Sequence, residues 1–477
     1  MSIVAFTKIG MVTAVAGIAA LTYNLNTKPE PQFSPDEIAL IKKFWSQPNR
    51  HVVTFLTDSE INGPYQARQT PEGSTWLLKY YKAKGSGGKI VPGQDPVPSS
   101  DRQKICDAWI ESEYTWDEWQ ATIRSWDLNQ RATGRKLPDP TPPTGKVPPQ
   151  PEPIPVDLKE LAGEPPVFVQ AETPRLFKTT FRDFVHIAPD NTKVRRKYAY
   201  YRFKEGIMDG GTSIRPQLDK LAPLFAKAGV DESKLRIFSA VSSLEGGFDS
   251  INTYDTGYVS VGFIQFASLG GGAGSLGQVM LSMKKENPKD FQDNFRQFGL
   301  DVTNTGELVA LNLDSGQIKV GPEANTEIIN NRRYGSTFVR AGKLSEAFKL
   351  AQIRVAMDQY YPAEDMITIK INGTPQSGKI KDFISTEAGL ATFMDRKVNT
   401  GKYGDLIPIL ESMAQEYEIN SIKDFAKLEY QITRAMIWRK DYTAPDYALS
   451  KPRDLGLTKS RGGAGRNNGG TPPPAHQ

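Results

Sequence analysis

A glutamate and an aspartate lie ten residues apart in the segment 243–266, SLEGGFDSINTYDTGYVSVGFIQF. Glu245 closes an apolar helical run, so burial and the negative end of the helix dipole should both raise its pKa. Asp255 has the polar neighbours Asn252 and Thr253, and we expect it to remain ionised. A protonated carboxyl facing an ionised one across a cleft is what hydrolysis of a glycosidic bond requires.

Other side chains of this segment suit the same chemistry. Ser260 offers a hydroxyl that could help Asp255 to orient a water molecule. Two glycines, Gly246 and Gly247, let the chain turn sharply and leave room beside the Glu245 carboxyl. The predicted contacts with sugar rings are one amide and three aromatic side chains: Asn252, Tyr254, Tyr258 and Phe266.

The composition excludes several other classes of protein. A net charge of +5 over 477 residues suits an anionic polymer such as cell wall, but no Lys/Arg stripe with interleaved aromatics is present, so nucleic acid is not expected as a partner. Cys106 is the single cysteine, and the three histidines, His51, His186 and His476, lack metal-ligand spacing. We therefore expect neither a metal nor another cofactor.

The N-terminal residues form an apolar run. Residues 3–23 contain Lys8 as their only charge, and polar, proline-containing sequence follows them. This run is either an export signal, with Ala19 and Ala20 near a cleavage site, or a single membrane anchor able to span ~30 Å of hydrocarbon. A buried core helix is the weaker alternative. Both favoured interpretations place the rest of the chain in the periplasm, the cell envelope or the extracellular medium.

A proline-rich stretch marks the clearest boundary in the chain. Residues 137–156 contain nine prolines, which favours an extended polyproline spacer. The predicted division is a signal peptide or anchor at 1–25, a small Trp-rich domain at 33–136, the spacer at 137–156, a connecting segment at 157–215, a main domain at 216–448 and a disordered tail at 449–477.

Two features of the N-terminal half are open to two interpretations each. Six of the seven tryptophans precede residue 127; they suit either a carbohydrate-stacking module or the core of a small helical domain, and the core is the simpler explanation. The basic-aromatic run KVRRKYAYYRFKEG at 193–206 suits either an anionic surface or a solvated pair of strands.

Capping and periodicity predict mainly helices with two hairpins. Ser34 and Glu37 form a capping box that starts a helix ending near Trp45, and Thr115 with Glu118 is predicted to start another. Further helices are predicted at 216–229, 232–246, 276–287, 289–299, 344–361, 383–395, 405–417 and 421–438. The hairpins are predicted to turn at Ser315-Gly316 and Asn372-Gly373.

The segment 243–266 resembles the lysozyme superfamily. Phage-type lysozymes place a Glu at a helix end, then an Asp and a Gly-Tyr-Tyr-Thr-Ile-Gly hairpin, and the hairpin is similar to GYVSVG at 257–262. Goose-type lysozymes and lytic transglycosylases share a Gly-Leu-Met-Gln run, which GFIQ at 262–265 resembles. Chitosanases of the same superfamily also pair a helix-end Glu with an Asp near a Gly-Tyr segment.

The resemblance implies Glu245 as the acid, Asp255 and Ser260 as the groups that hold the attacking water, and Gln265 as a substrate contact. It also implies a mainly helical lysozyme-like catalytic domain with small β-hairpins. With the small Trp-rich domain and the Pro-rich linker that precede this domain, the predicted fold class is α+β. Gly246 stands where transglycosylases usually have Ser, so the non-hydrolytic mechanism has less support. The Glu-to-Asp spacing is also one residue longer than in phage-type lysozymes.

A second segment carries a weaker resemblance. LATFMDRKVNTGKYG at 390–404 is similar to the Asp-x-x-Val-Asn-x-Gly helix end of some peptidoglycan hydrolases. The resemblance implies that Asp395 and Asn399 line the far wall of the cleft. A helix end capped by Gly401 explains the same letters equally well.

The sequence therefore predicts an exported glycoside hydrolase, of the muramidase or lytic transglycosylase class, acting on the glycan strands of peptidoglycan. Chitin and chitosan remain open as substrates, as do the retaining and inverting outcomes. A non-catalytic lysozyme-like domain, binding glycan or forming part of a wall-crossing assembly, is the second interpretation. A cysteine peptidase that uses Cys106 with His51 or His186 is the third, but a buried thiol on a helix explains Cys106 better.

Overall fold

The computed structural model describes residues 33–55, 65–83, 101–133, 146–189 and 194–459. About 50% of the described residues are helical and about 15% lie in strands of small antiparallel sheets, so the predicted α+β class is confirmed at this level. Within these residues no helix is both long and apolar enough to cross a bilayer. The predicted signal or anchor segment, residues 137–145 of the proline-rich stretch and residues 460–477 of the tail lie outside them.

Most of the α-helices in the described residues lie after residue 215. The α-helices are α1 (Pro35–Trp45), α2 (Pro71–Ala83), α3 (Asp101–Thr133), α4 (Val156–Ala162), α5 (Leu218–Lys227), α6 (Glu232–Ser242), α7 (Ser275–Glu286), α8 (Pro288–Asn294), α9 (Pro322–Asn330), α10 (Arg332–Leu344), α11 (Glu346–Gln359), α12 (Glu387–Thr400), α13 (Leu406–Glu416) and α14 (Glu429–Met436). Short 3₁₀ turns lie at Arg215–Gln217, Arg296–Phe298, Ile380–Asp382, Ile422–Leu428 and Pro445–Tyr447.

The strands are short. They are β1 (His51–Phe55), β2 (Gln66–Gln69), β3 (Val169–Glu172), β4 (Arg175–Thr180), β5 (Val185–Pro189), β6 (Met208–Asp209), β7 (Ile251–Asn252), β8 (Ser260–Val261), β9 (Phe266–Ala267), β10 (Leu300–Val302), β11 (Leu308–Leu311), β12 (Ile318–Val320), β13 (Met366–Ile371) and β14 (Thr374–Lys379). The sheets have the orders β1-β4-β5, β2-β3, β6-β7-β8-β9, β10-β11-β12 and β13-β14.

Both predicted hairpins are confirmed. Strand β11 pairs with β12, and Ile371 of β13 pairs with Thr374 of β14, the first residue after the turn. Asn372 and Gly373 both have positive φ, 51° and 78°, as a two-residue turn that follows the twist of its strands requires. The Asn-Gly pair predicted this hairpin because turn chemistry is local.

The first predicted capping box is also confirmed. The side chain of Ser34 accepts from the backbone N–H of Glu37, and the Glu37 carboxylate accepts from the Ser34 N–H at 2.8 Å. Helix α1 buries Trp45, whose indole N–H donates to the carbonyl of Phe298 at 2.9 Å. The helix is therefore fixed to the 3₁₀ turn before β10.

The predicted helix start at Thr115 is wrong. Helix α3 runs without a break from Asp101 to Thr133, so Thr115 lies in its interior. Backbone N–H groups inside a continuous helix already have partners one turn back, and the Thr115 hydroxyl instead bonds to the side chains of Glu111 and Arg196.

The described residues form two hydrophobic cores, and the membership of these cores differs from the predicted domain boundaries. The large core includes Phe33, Ile41 and Trp45 as well as the helices from α5 onward. The small core joins α2 and α3 to residues after the proline-rich stretch, among them Leu158 and Phe168. The physical reason is strand pairing, since β2 and β3 form one sheet across that stretch. We call α2, α3, α4, β2 and β3 the small unit.

The tryptophans of the small unit serve as core residues at two positions. Trp76 and Trp109 are buried, with ring centroids 6.4 Å apart. The indole N–H of Trp109 donates to the carbonyl of Glu152 at 2.7 Å. Residues 146–155 form no helix or strand, yet this contact holds the C-terminal end of the proline-rich stretch against α3.

Candidate active site

Glu245 lies in the turn that ends helix α6. Its backbone N–H and that of Gly246 both donate to the carbonyl of Ser242, at 3.0 and 2.9 Å. Asp231 caps the start of the helix, and its side chain accepts from the N–H of Lys234 at 2.9 Å. The Glu245 carboxyl thus lies at the carbonyl end of α6, where the helix dipole disfavours a negative charge.

Glu245 shares one guanidinium with Asp395. Arg439 contacts Glu245 Oε1 and Asp395 Oδ1 through the same Nη2 nitrogen, and its Nε donates to Asp395 Oδ1 at 3.2 Å. The side chain of Asp395 is 1% exposed, that of Glu245 10% and that of Arg439 20%. We call Glu245, Asp395 and Arg439 the charged trio.

Contacts from helix α12 hold the charged trio together. Asp395 lies on α12, which packs against α6. The guanidinium of Arg236 on α6 bonds to Glu387 at the start of α12, at 2.6 and 3.0 Å. Arg396 donates to the carbonyl of Met436 at 3.1 Å and lies 4.5 Å from the ring of Trp438, which fixes the segment leading to Arg439.

The electrostatics of the charged trio favour one bound proton. Burial raises the pKa of Glu245, and the negative charge of Asp395 raises it further. Arg439 lowers this pKa through its charge and its hydrogen bond. The resulting pKa of Glu245 lies above the ordinary value. Burial alone would lower the pKa of Arg439, but its two carboxylate partners outweigh burial and raise it. Two ionised carboxyls around one guanidinium leave a buried net negative charge, which a proton on Glu245 removes.

The two glycines after Glu245 serve close packing. A Cβ at Gly247 would lie 2.1 Å from the carbonyl oxygen of Thr212, and one at Gly246 would lie 2.7 Å from Ser250 Cβ. Gly246 also has a φ of 123°, which side chains rarely adopt. These glycines therefore let the 210–212 backbone approach the Glu245 turn, which differs from the expected role of leaving room beside the carboxyl.

Asp255 follows strand β7 of the four-stranded sheet. Its Oδ1 accepts from the Gly257 N–H at 2.8 Å, and its Oδ2 accepts from the Asn252 amide at 2.7 Å. Asn252 in turn accepts from the N–H of Tyr254 at 3.1 Å. Both polar ends of Asn252 are engaged in this turn, so it orients Asp255 and its predicted sugar contact has no support from this geometry.

The prediction that polar neighbours keep Asp255 in its ordinary ionised state is corrected by its burial. Burial raises the pKa of Asp255, hydrogen bonds from Gly257 and Asn252 oppose this, as do Arg202 and Tyr198, and the resulting pKa still lies above the ordinary value. Local sequence does not indicate this burial, because the covering residues, 194–203, precede Asp255 by some distance along the chain. The pKa values of both carboxyls are therefore raised, and they are not driven apart as predicted.

Ser260 and Asp255 lie on either side of Gly257. Ser260 pairs with Asn252 across β8 and β7. A Cβ at Gly257 would lie 2.6 Å from Ser260 Oγ and 3.1 Å from Asp255 Oδ1. Both oxygens therefore lie close to the same point, which a side chain at residue 257 would occupy. The structure brings the predicted pair together.

The predicted aromatic contacts divide into buried and partly exposed rings. Phe266 is 0% exposed and packs on Phe263 and Tyr360, so its assignment as a sugar platform is wrong. The reason is register: Phe266 pairs with Val261 and so shares the core face of the sheet. Tyr254 is also buried, with Tyr198 and Tyr201 against its ring.

Tyr258 remains available as a contact. It is half-buried, with its ring centroid 5.2 Å from that of Phe203. The Gln265 amide donates to Ser250 Oγ at 2.7 Å and to the Gly262 carbonyl at 3.2 Å. Since Ser250 also abuts Gly246, Gln265 links the hairpin to the Glu245 turn.

Asn399 belongs to the surroundings of the charged trio. Its amide donates to the Asp395 carbonyl at 2.7 Å and to Asp395 Oδ1 at 3.1 Å, and its hydrogen bonding lowers the pKa of Glu245. Gly401, with a φ of 70°, caps the same helix. The two interpretations of this segment are therefore compatible, because the helix end that Gly401 caps also places Asp395 and Asn399 beside Glu245.

Arg439 and Tyr198 were not predicted as site residues. Arg439 follows α14, far along the chain from Glu245, and nothing in its local sequence distinguishes it from other arginines. Tyr198 lies in the basic-aromatic run, where the alternation of rings and charges was the available signal. Cys106 is buried in the small core, and His186 bonds to Ser336 and Asp209, so the cysteine peptidase interpretation has no support from this geometry.

No metal-ligand group of three or more His, Cys, Asp or Glu is found among the described residues. Comparison of the chain with protein family models, curated proteins and solved structures found no match.

Proposed function

We propose that this chain is an exported glycoside hydrolase with a lysozyme-like catalytic arrangement, acting on the glycan strands of peptidoglycan. The observation that carries the proposal is the buried Glu245 carboxyl, whose pKa is raised at the end of α6. A carboxylic acid that stays protonated near neutral pH is what departure of a sugar oxygen requires.

In the proposed reaction Glu245 donates its proton to the glycosidic oxygen as the bond from the anomeric carbon to that oxygen breaks. The carboxylate left on Glu245 is stabilised by Arg439, which already contacts it. Water held between Asp255 and Ser260 attacks the anomeric carbon and gives a proton to Asp255. The Gly257 N–H and the Asn252 amide fix the Asp255 carboxylate for that role.

The choice of peptidoglycan rests on the resemblance of 243–266 to lysozymes and on the apolar N-terminal run. The test is digestion of purified peptidoglycan, chitin and chitosan by the full chain, with new chain ends identified by mass spectrometry. Glu245→Gln should abolish cleavage, since Gln has nearly the same shape but no acidic proton. Equal product formation by the wild-type chain and this variant would contradict the proposal, as would an inactive wild-type chain.

A non-catalytic role is the second candidate, and the charged trio favours it specifically. An arginine bridging two buried carboxyls also occurs as a purely structural element. In that case the wild-type chain would bind glycan without releasing new chain ends. Glu245→Gln would then change the melting temperature and leave glycan binding as it was.

A further inference from the structure

Residues 194–203, which we call the strap, lie between the small unit and Asp255. The backbone of Tyr198 is held by Gln69 of β2, which donates to the Tyr198 carbonyl at 2.6 Å and accepts from its N–H at 3.2 Å. The hydroxyl of Ser74 on α2 donates to the same carbonyl. Tyr114 of α3 donates to Gln69 at 2.8 Å, which fixes the amide that holds the strap.

Charged contacts reinforce this attachment. Arg196 forms ion pairs with Glu111 at 2.7 Å and Glu118 at 3.1 Å, and Lys197 contacts Glu111 as well. The guanidinium of Arg196 lies 4.7 Å from the centroid of the Tyr114 ring. All these partners lie on α3, so one helix of the small unit anchors the N-terminal half of the strap.

The opposite end of the strap is bonded to the Asp255 turn. The backbone N–H groups of Arg202 and Phe203 donate to the Tyr254 carbonyl at 2.8 and 3.0 Å. Tyr201 forms an isolated antiparallel bridge with Asp255 itself. The strap is thus bonded directly to the turn that carries the residue proposed to hold the water.

The Tyr198 side chain lies against the turn that carries Asp255. Its ring centroid lies 6.0 Å from that of Tyr254, the neighbour of Asp255 in the chain, and the nearby Tyr198 hydroxyl lowers the pKa of Asp255. The groups facing Asp255 are therefore Arg202 and Tyr198 from the strap and Tyr254 from its own turn. Arg195 lies 5.2 Å from the Tyr198 ring centroid, and its positive charge opposes the rise in pKa of Tyr198 and Tyr254.

We propose that Tyr198 is a positioning residue for Asp255, and that the small unit serves the reaction by holding Tyr198 in place. The inference rests on the proposed function, because Asp255 is there the group that orients the water. An O–H donor fixes one oxygen of a carboxylate and favours its ionised form. Without that donor, Asp255 would hold its proton to a higher pH and orient water less well.

Tyr198→Phe in the full chain tests this inference, because it removes only the hydroxyl. Tyr200→Phe is the matched control, the same change two residues along the strap. The first readout is the pH midpoint of carbodiimide-driven amine labelling at Asp255, measured by peptide mass spectrometry. Since protonated carboxyls react, the midpoint should move to higher pH in Tyr198→Phe and stay in place in Tyr200→Phe.

The second readout is glycan cleavage against pH. Tyr198→Phe should lower kcat about tenfold with little change in KM, as loss of one hydrogen bond to a charged group predicts, and the acidic limb should move to higher pH. An unchanged labelling midpoint would overturn the inference whatever the activity. Absence of cleavage by the wild-type chain would instead count against the proposed function, and the labelling midpoint would still test the contact.

Discussion

Glu245 and Asp395 meet at a single nitrogen of Arg439, although one follows α6 and the other lies on α12. The planar fork of arginine allows this because its N–H groups point in several fixed directions. A lysine ammonium in the same place could form a good ion pair with one carboxyl and only a poor one with the other. Among the three residues of the charged trio, Arg439 should therefore tolerate substitution least.

Arg439→Lys should reduce the free energy of unfolding by about 1.5–3 kcal/mol, the range for losing a hydrogen bond to a charged group. It should also raise the pKa of Glu245 further, because Arg439 lowers that pKa in the native chain. The alkaline limb of the pH–activity profile then moves to higher pH. Arg434→Lys is the control, since its pair with Asp441 is partly solvated and worth ~0–1 kcal/mol. Equal losses of stability in both variants would contradict the special role of Arg439.

Gly257→Ala should lower kcat by up to about 100-fold, the effect of misplacing a reacting group by ~1 Å. The added methyl would lie 2.6 Å from Ser260 Oγ and so displace the hydroxyl or the water it holds. Gly271→Ala is the control, because its Cβ would meet nothing within 4 Å. Melting temperatures of both variants would separate misfolding from lost chemistry. Undiminished cleavage by Gly257→Ala would exclude a water between Asp255 and Ser260.

Phe266→Ala should cost about 3–5 kcal/mol of stability, as expected for emptying a buried phenylalanine site, without weakening glycan affinity at temperatures where the chain is folded. Tyr258→Ala should show the reverse pattern, because its ring is half-buried at the surface of the hairpin. Urea unfolding and glycan affinity electrophoresis measure the two effects. Weaker glycan binding in Phe266→Ala alone would restore the sugar-platform assignment.

His51 should make the fold weaker as the pH falls from about 6.5 to about 4. Burial, together with Arg333 and Arg332, lowers the pKa of His51 from 6.5 to about 4. Between these two pH values the unfolded chain binds a proton at His51 and the folded chain does not. The stability present above pH 6.5 is therefore lost progressively on acidification, by up to ~3 kcal/mol.

The measurement is urea unfolding at pH 7 and pH 4.5 for the wild-type chain and for His51→Gln. Carboxylates also titrate in this range, so the difference between the two proteins isolates the histidine. His51→Gln should lose less stability than the wild-type chain between the two pH values. An equal loss of stability in both proteins would show that protonation of His51 does not destabilise the folded chain.

Features of the fold that depend on neighbouring residues are predictable from the sequence. The same holds for the parts of the site whose residues lie close together in the chain. The Asn372-Gly373 turn and the Ser34 cap follow from neighbouring residues. Asp255, Ser260 and Gly257 come together for the same reason, since two adjacent short strands connect them.

Features that depend on distant residues were missed or wrongly assigned. Phe266 is predicted on the wrong face of the sheet. Its face depends on pairing with Val261, and a two-residue strand is too short for its polar and apolar alternation to show which side chain faces the core. Arg439 reaches Glu245 only after α12 and α14 have packed. The higher pKa of Asp255 depends on coverage by the strap, which in turn depends on the small unit.

The position of α1 limits how the molecule can be shortened. Phe33 and Trp45 fill the large core beside Phe298, and Glu37 forms an ion pair with Arg296 at 2.7 Å. A recombinant fragment beginning near residue 216 would lack both rings, expose Phe298 to water and leave Arg296 without this partner. Expression trials that cut at the proline-rich stretch would therefore yield insoluble protein, and the latest usable start lies before Phe33.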